Sequence, residues 1–553
     1  MKPSFIKILI ITLIILLGLS LRLNNLNWDK GFHLHPDERF LTMVGNDIDI
    51  PKNISEYLNP KTSSLNPYNN DYNFFVYGIF PLILNKIIAV AFNNDNYFDF
   101  TTQGRLLSGL ADGLIILLVY KTLALFEKKY KLDKPIKYWG AFFYSIMVLP
   151  IQLSHFFAVD TFLNLFVFTS FYFALKYSFF EKKQNILFSS VFLALGIASK
   201  ISALFILPLN IFLIWFRKKN LKELFKLNFW YFLISYFTLR LTNPYMFDQK
   251  FIDNITTLKS FEGFNSWYPP AIQWINKTPI IHSLYNLSFF GTGLFVFVLF
   301  LYGTIVIFRL RKNIFLRAVI IWLIGIFIYQ STQFAQGMRY FLLIYPFIAI
   351  FAGIGTDYLY KLFIKSKYKN LYIALIVFIS LIWPLSFSQI YKKDHSRIEA
   401  SKWIYKNIDA GSVILTEYWD DPLPLLLDDN PKNFTTIQLL VFDIDTDQKW
   451  EKMNGLLDKG DYLILSSNRG WGSITPVPEK YPIMSKFYKD LFQNKLEYKK
   501  IMEISSFPTF YLSGFNIKLD DSSSDESFTV YDHPKVMIFK NLIKKRHSSD
   551  GKI

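Results

Sequence analysis

The chain has 553 residues, of which 52% are hydrophobic and 19% aromatic, and its mean hydropathy is +0.24. An ordinary soluble enzyme is excluded, because several stretches are long enough to cross a hydrocarbon core. The formal net charge of +17 does not argue for nucleic-acid binding, since the basic residues collect in short loops between apolar spans. Cysteine is absent, which excludes thiol catalysis, cysteine-ligated metals and disulfide bonds.

Residues 5–23 are predicted to form the first membrane span. Lys2 and Lys7 place the amino terminus in the cytoplasm, and the lack of a small-x-small cleavage site favours an uncleaved anchor over a signal peptide. A first outer loop of about 24–103 follows. Within it, the apolar stretch 74–92 is predicted to be interfacial or re-entrant, because four residues interrupt it: Gly78, Pro81, Asn85 and Lys86.

Ten further spans are predicted, near 106–126, 138–156, 161–180, 185–199, 201–216, 227–241, 288–308, 314–330, 340–360 and 371–390. With the stretch 74–92 counted as non-spanning, the basic residues of alternate loops all fall inside, as orientation in a membrane requires. These residues are Lys128, Lys129, Lys131, Lys134, Lys137, Lys182, Lys183, Arg217, Lys218, Lys219, Arg309, Arg311, Lys312, Lys361, Lys365, Lys367 and Lys369. The prediction is a polytopic α-helical membrane protein with about eleven spans, with the loop after Thr242 and the tail beyond Tyr391 outside.

From about Lys392 the composition becomes mixed polar and apolar. Strand-like runs and helical patterns predict a soluble extracytoplasmic α/β domain over 391–553; they lie at 412–415, 462–466, 397–407 and 488–498. The acidic stretch 520–526 is predicted to be a solvated loop, with a calcium site as the alternative.

Ionisable residues at the outer ends of the spans are the candidate site. They are Asp37, Glu38, Arg39, Arg105, His155, Asp160, Lys200, Arg240 and Arg339. An ionisable group in a bilayer is costly unless it has a partner or a function, so we expect these groups to line one cavity. Carboxylates can act there as a general base, and arginine or lysine can hold a phosphate through charge-assisted hydrogen bonds.

Each candidate also has a structural alternative. For Asp37 the alternative is a loop or helix-capping carboxylate, over which the site role is preferred, and for Asp160 it is the N-cap of the span that follows it. Lys200 and Arg339 are of the type that snorkels to a membrane surface. His155 is suited to interfacial hydrogen bonding, and a zinc site there would need further ligands that the sequence does not supply.

Asp112 differs from these residues because it lies well inside the hydrocarbon zone, about two turns beyond Arg105 on one helix face. It is expected either to pair with a buried neighbour or to take part in proton movement. A structural role is preferred.

The order of several short motifs resembles that of glycosyltransferase family 39, which includes protein O-mannosyltransferases and lipid A aminoarabinose transferases. The motifs are Pro36-Asp37-Glu38-Arg39, Tyr77-Gly78-x-x-Pro81, Gly104-Arg105-Leu106-Leu107-Ser108-Gly109-Leu110, His155 with Ala158-Val159-Asp160-Thr161, Gly196-Ile197-Ala198-Ser199-Lys200, and Arg339-Tyr340 with Tyr345-Pro346. The resemblance covers residues 1 to about 390. The chain lacks a recognisable MIR-type insert of the eukaryotic O-mannosyltransferases and has an α/β tail instead, which looks like the tails of uncharacterised members of this broad group.

This resemblance implies a GT-C fold, with residues 1–390 as the catalytic membrane domain and a polyprenyl-phosphate sugar as donor. Asp37 matches the carboxylate that deprotonates the acceptor, Glu38 is its usual neighbour, and Asp160 matches a second acidic position. The residues expected to bind substrate or phosphate are Arg39, Arg105, His155, Lys200 and Arg339. No metal or cofactor is expected.

The resulting hypothesis is an inverting glycosyltransferase in the cell membrane, which moves a sugar to a glycan, lipid or protein acceptor at the outer face. A lipid-phosphate leaving group departs as a stabilised anion, so a base for the acceptor and cations for the phosphate are the chief requirements. A transporter or flippase for a lipid-linked sugar is the main alternative, although no pair of interrupted half-helices in two related repeats is evident. A non-catalytic scaffold is a third.

Overall fold

The computed structural model describes residues 3–131, 135–216, 220–309, 313–427, 432–512 and 514–543. The chain folds into two compact units. The first consists of Met1–Leu26, His35–Lys259 and Pro279–Leu385, and the second of Asn27–Leu34, Ser260–Thr278 and Ser386–Ile553. The sequence analysis had assigned the segments 27–34 and 260–278 to the membrane domain.

The regular secondary structure of the first unit, over its described residues, is helical. Its helices are α1 (Pro3–Arg22), α2 (Pro36–Asp47), α3 (Ile54–Leu58), α4 (Phe80–Phe92), α5 (Tyr97–Tyr130), α6 (Ile136–Ile146), α7 (Val148–Ser154), α8 (Asp160–Phe180), α9 (Gln184–Ser199), α10 (Leu207–Trp215), α11 (Leu221–Thr242), α12 (Gln249–Ser260), α13 (Ile281–Asn286), α14 (Leu294–Arg309), α15 (Ile314–Ser331), α16 (Tyr345–Phe363) and α17 (Lys369–Ser388). Short 3-10 segments, among them Ile201–Ile206 and Met338–Ile344, precede α10 and α16.

Every predicted span coincides with helical structure, but the helices are often short or broken. Among the described residues, six helical segments are long and apolar enough to cross a membrane, or seven if the bent pair Ile281–Gly291 and Leu294–Arg309 is one span. The predicted span 138–156 is divided into α6 and α7, which are separated at Met147. A helical protein with at least six candidate spans is thus established, and the count of eleven stays a prediction. The predicted inside residues Lys134, Arg217, Lys218, Lys219, Arg311 and Lys312 lie outside the described ranges.

Helix α2 carries the first acidic motif. Pro36 occupies the start of the helix, where its missing N–H costs nothing, and His35 is the N-cap, its Nδ1 accepting a hydrogen bond of 3.3 Å from the Glu38 N–H. Acidic side chains in a first helical turn are favoured by the helix dipole. Leu41 and Val44, at i+4 and i+7 from Asp37, are buried in a cluster with side chains of α4 and α5. The motif is therefore fixed to a packed scaffold.

A buried ion pair joins the membrane helices. Arg22 Nε lies 2.6 Å from Asp112 Oδ2, and both side chains are fully buried. The Tyr144 hydroxyl donates to the other Asp112 oxygen at 2.6 Å, and Asn164 donates to Tyr144 at 3.0 Å. Arg22 also donates to the carbonyl of Ser145 at 2.8 Å. Because this network satisfies the Asp112 carboxylate on both oxygens, it supports the structural role rather than proton movement.

The second unit contains a five-stranded mixed sheet of order β2-β1-β3-β7-β4, and a separate hairpin formed by β5 and β6. The strands are β1 (Val413–Glu417), β2 (Thr435–Leu439), β3 (Tyr462–Leu465), β4 (Tyr498–Ile504), β5 (Thr509–Leu512), β6 (Phe515–Lys518) and β7 (Val536–Asn541). Strand β1 pairs in parallel with β2 and β3, whereas β7 runs antiparallel to β3 and β4. Helices α18 (Ser396–Asn407), α19 (Asp447–Lys459), α20 (Arg469–Ile474), α21 (Pro482–Phe492) and α22 (Glu526–Thr529) complete the unit. The predicted sheet-containing C-terminal part is therefore present.

Two local predictions in this unit are wrong. The helix expected over 488–498 lies over Pro482–Phe492, because proline favours the first helical turn and Asn494, at a φ of 57°, ends the helix before β4. The stretch 520–526 is not simply a solvated loop, because Asp521, Asp525 and Glu526 are buried. Asp521 contacts His533 at 2.8 Å, so its charge is compensated within the protein.

Candidate functional site

The carboxylate of Asp37 meets a cation from a distant part of the chain. Arg339 Nη1 donates to Asp37 Oδ2 at 2.6 Å. The two side chains keep 28% and 22% of their surface exposed, respectively, so the pair is accessible to a ligand. Asp37 lies in the first turn of α2, but the cap of that helix is His35. The capping alternative for Asp37 is therefore wrong.

A second ion pair also joins an aspartate to a basic residue. Lys200 Nζ lies 2.8 Å from Asp160 Oδ1, with Lys200 23% and Asp160 7% exposed. Asp160 is the first residue of α8. The N-cap position is Val159, which makes no side-chain capping bond, so Asp160 is not the cap. Lys200 ends α9 in an extended conformation, which turns it away from the helix path. Lys200 and Arg339 thus each contact a carboxylate. A side chain that only snorkels to the membrane surface would not be expected to make such a contact.

Two tyrosines lie beside these ion pairs. Burial raises the pKa of the Tyr77 hydroxyl, and Tyr77 is close enough to the Asp37 carboxylate for that charge to raise it further. The Tyr340 ring lies under both cations, 5.5 Å from Lys200 Nζ and 5.4 Å from the Arg339 guanidinium carbon. Such contacts place a cation on the negative face of a ring and restrict its position. The sequence analysis had quoted Tyr77 and Tyr340 only as motif letters, and nothing in the sequence indicated that each would touch the charged groups.

A glycine allows Tyr77 and Lys200 to come together. The Gly78 N–H donates to the Ser199 carbonyl at 3.0 Å. A Cβ on Gly78 would lie 2.0 Å from the carbonyl oxygen of Ala198. This oxygen belongs to the backbone and cannot move aside as a flexible side chain could. The close approach therefore requires glycine, and it fixes the loop that carries Tyr77 against the turn that carries Lys200.

The charges of this cluster set the protonation state of Asp37. Burial alone would raise the pKa of the carboxyl, but the charge of Arg339, followed by those of His35 and Lys200, outweighs burial and holds the pKa of Asp37 below its ordinary value. Burial and the Asp37 charge raise the pKa of Tyr77 well above its ordinary value. Asp37 is thus ionised at neutral pH, and the Tyr77 hydroxyl is protonated.

Glu38 and Arg105 form a separate, buried pair. Arg105 Nε donates to Glu38 Oε2 at 2.8 Å, and Arg105 Nη2 contacts the other carboxylate oxygen. Glu38 is fully buried and also accepts from the Phe157 N–H at 2.7 Å, while Arg105 Nη1 donates to the Leu26 carbonyl at 2.7 Å. These bonds occupy both carboxylate oxygens. We call Asp37, Arg339, Asp160 and Lys200 the exposed cluster. The structure does not bring Arg105 or Glu38 to it, although both were predicted as site residues.

His155 is also placed outside the exposed cluster. His155 is buried, with Nδ1 2.9 Å from the Ile151 carbonyl and Nε2 3.0 Å from the Asn24 carbonyl, and it thereby ties the end of α7 to the segment after α1. Arg39 is half-buried on α2, and its backbone N–H donates to the His35 carbonyl at 2.9 Å. Within the described ranges, no three His, Asp or Glu side chains are grouped so that they could hold a metal ion.

The fold has counterparts among solved structures. The structure is similar to Archaeoglobus fulgidus AglB in complex with an inhibitory peptide and a dolichol-phosphate, with a TM-score of 0.51, 12% identity, and coverage of 94% of this chain and 75% of AglB. The Archaeoglobus fulgidus oligosaccharyltransferase tethered with an acceptor peptide containing the NVT sequon gives a TM-score of 0.53, 12% identity and coverage of 94% of this chain and 74% of that one. At such identities the likeness shows a common fold.

Residues 98–242 match the family model of dolichyl-phosphate-mannose-protein mannosyltransferase. The predicted resemblance to this family is confirmed for that part of the chain, and the match favours a glycosyltransferase over a flippase. ArnT from Cupriavidus metallidurans bound to undecaprenyl phosphate gives a TM-score of 0.43, 11% identity and coverage of 98% of this chain and 99% of ArnT. A search among curated proteins finds no match to the sequence.

Proposed function

We propose that this protein transfers a sugar from a polyprenyl-phosphate carrier to an acceptor hydroxyl at the outer face of the cell membrane, with inversion at the anomeric carbon. The observation that carries the proposal is the exposed cluster in which Asp37 and Asp160 each pair with a cation, Arg339 and Lys200 respectively. The family match over residues 98–242 supports the reaction class, since the matched enzymes are named for a dolichyl-phosphate-mannose donor. Residues 391–553 form an extracytoplasmic domain in this proposal.

Asp37 is the general base of the proposed reaction. Its carboxylate is ionised and keeps part of its surface exposed, so it can accept the proton of an acceptor hydroxyl. The acceptor oxygen then attacks the anomeric carbon, and the bond from that carbon to the phosphate oxygen breaks. Base catalysis of this kind contributes about 10²- to 10⁴-fold in rate.

Arg339 and Lys200 bind the donor phosphate. Each is a cation already located beside a carboxylate, and phosphate oxygens can share or replace those carboxylates through charge-assisted hydrogen bonds. Asp160 keeps Lys200 in place before the donor arrives. The polyprenyl chain stays in the lipid, and only the phosphate and the sugar enter the polar cluster.

Glu38 and Arg105 are positioning residues in this proposal. Their buried ion pair ties the first turn of α2 to α5 and to the backbone of Phe157. Since Asp37 precedes Glu38 directly, the pair fixes the direction in which the Asp37 side chain points. A direct contact with substrate is not assigned to Glu38, Arg105 or His155, because backbone and side-chain partners occupy them.

The decisive experiment is incubation of the purified protein with a radiolabelled polyprenyl-phosphate sugar and membranes of a deletion strain as acceptor. Asp37→Asn should insert and fold normally but abolish transfer, whereas Asp49→Asn, an exposed carboxylate outside the cluster, should leave transfer unchanged. A transporter would leave the donor's glycosidic bond intact. A scaffold would tolerate the loss of Asp37, so retained transfer by Asp37→Asn would overturn the proposal.

A further inference from the structure

The second unit carries a continuous row of aromatic rings far from the Asp37 cluster in sequence. Phe261, Trp267 and Tyr268 come from the segment 260–278, and Tyr418 and Trp419 directly follow β1. Ring centroids lie 5.1 Å apart for Phe261 and Trp267, 4.8 Å for Phe261 and Tyr268, 5.7 Å for Tyr268 and Trp419, and 5.8 Å for Tyr418 and Trp419. We call these five residues the aromatic platform.

The platform is exposed where a folded protein would normally bury it. Trp267 keeps 66% of its surface accessible and Tyr418 43%, and the neighbouring Phe264 keeps 46%. Aromatic side chains carry the largest apolar area of any residue, and contiguous exposed apolar area marks interaction sites. The exposure therefore points to a ligand.

The platform is held in place by polar side chains that bond its backbone. Lys480 Nζ donates to the carbonyls of Phe264 at 2.6 Å and Ser266 at 3.0 Å. Arg469 donates to the Trp419 carbonyl at 3.1 Å and pairs with Glu526 at 2.8 Å. A surface preorganised in this way loses little conformational entropy when a ligand binds.

Trp419 has a strained backbone. Its φ is 73°, in the left-handed region that a bulky residue adopts only at an energetic cost. Such strain persists only where the surroundings enforce it, and it concentrates at ligand-binding positions. Here the strained residue lies at the carboxyl end of β1, a parallel strand, which is the edge at which α/β sheets bind ligands.

The charge around the platform selects the type of ligand. The stretches 260–268 and 417–421 contain no basic residue, and the nearby basic side chains are engaged within the unit: Arg397 by Asp420 and Asp421, Arg469 by Glu526, and Lys480 by two backbone carbonyls. An anionic membrane surface or a nucleic acid would require positive charge at the contact. A neutral sugar ring instead offers an apolar C–H face to stack on an aromatic ring and hydroxyl groups to donate to the partly exposed carboxylate of Asp421, whose Oδ2 also pairs with Arg397 at 2.8 Å.

We propose that the aromatic platform binds a neutral sugar ring of a glycan chain, and this inference rests on the proposed glycosyltransferase function because the chain would be the acceptor. The platform stacks on the C–H face of one hexose or N-acetylhexosamine unit. Asp421, whose side chain keeps 20% of its surface exposed, accepts hydrogen bonds from hydroxyl groups of that unit.

The experiment is saturation-transfer NMR on the full chain in detergent, with manno-, gluco-, galacto- and N-acetylgluco-configured trisaccharides as probes. We expect at least one probe to bind with a Kd of about 1 mM, and Trp267→Ala and Tyr418→Ala each to weaken binding by about tenfold. Phe515→Ala removes an aromatic ring of the same unit that is 70% exposed but outside the platform, and it should leave the Kd unchanged. Asp37→Asn should also bind normally, so that loss of transfer and loss of glycan binding are separated.

Three outcomes would overturn the inference. The first is that no trisaccharide binds the wild-type chain. The second is that binding persists unchanged in both platform variants. The third is that brominated lipids in nanodiscs quench wild-type fluorescence and the quenching is lost in Trp267→Phe, which would assign the platform to the membrane interface.

Discussion

Arg339 Nη1 lies 2.6 Å from Asp37 Oδ2, although the two residues are 302 positions apart in the sequence. In the proposed mechanism this cation serves both the base and the donor phosphate. While it faces Asp37, it lowers the pKa of the carboxyl and so weakens the base. When the phosphate draws Arg339 away, the pKa of Asp37 rises and its basicity increases. Donor binding would thereby prepare the base for the acceptor.

The first prediction concerns the pH dependence of transfer. In Arg339→Gln the main charge that lowers the pKa of Asp37 is absent, so burial raises this pKa and protonation of the base begins at higher pH. The acid limb of kcat/KM should therefore move to higher pH than in the wild type, and kcat/KM at neutral pH should fall about 10- to 100-fold through the lost phosphate contact. Arg317→Gln, whose guanidinium contacts the Phe308 carbonyl instead, should change neither quantity. An acid limb that stays in place would contradict the coupling of Arg339 to Asp37.

The second prediction concerns Tyr77 as a positioning residue. Tyr77→Phe deletes the hydroxyl that interacts with the Asp37 carboxylate and keeps the ring. We expect kcat to fall about tenfold, because an interaction of a hydroxyl with a charged group contributes about 1.5–3 kcal/mol. Since the ring stays in place, the KM for the donor should change little and the Tm should be preserved. The matched control is Tyr72→Phe. Its hydroxyl contacts Asp47, which lies on α2 as Asp37 does, but outside the cluster. Equal losses of kcat in the two variants would argue against a specific role for Tyr77.

The third prediction separates a catalytic from a positioning role for Glu38. Glu38→Gln leaves the Arg105 charge buried without its carboxylate, and such uncompensated charge destabilises by about 3–5 kcal/mol. The variant should show a lower Tm and a smaller folded fraction in detergent, measured by thermal unfolding and gel filtration. The double variant Glu38→Gln with Arg105→Met should recover part of the Tm. A Glu38→Gln protein of wild-type Tm that is fully inactive would instead assign the chemistry to Glu38.

The fourth prediction concerns the stability of the second unit. His533 lies between Asp521 and Asp532; burial alone would lower its pKa, but the two carboxylates outweigh burial and raise the pKa to about 10. Since an unfolded histidine has a pKa of about 6.5, His533 contributes its full stability below about pH 6.5 and loses it as the pH rises toward 10. The Tm of the wild type should therefore fall over this range more than that of His533→Gln. Parallel Tm curves for the two proteins would refute the proposed charge state.

The membrane character of this chain and the presence of a C-terminal α/β part follow from the sequence alone, because apolar length and strand or helix periodicity are local properties. The start of α2 was not predicted, although Pro36 and the acidic first turn are local signals of a helix start. Helix ends were also missed: the 488–498 prediction failed because Asn494 adopts a left-handed conformation that its residue type only permits.

The partners of the charged residues were decided only by the tertiary structure. The sequence identified Asp37, Glu38, Arg105, Asp160, Lys200 and Arg339 as candidates, but it could not say that Arg339 meets Asp37 while Arg105 is buried against Glu38. Each pairing depends on how helices distant in sequence pack, and residue type alone gives Arg105 and Arg339 the same chemistry. Burial then distinguishes them, because a cation whose donors are occupied inside the protein serves the fold, whereas one that keeps exposed surface remains able to bind a phosphate.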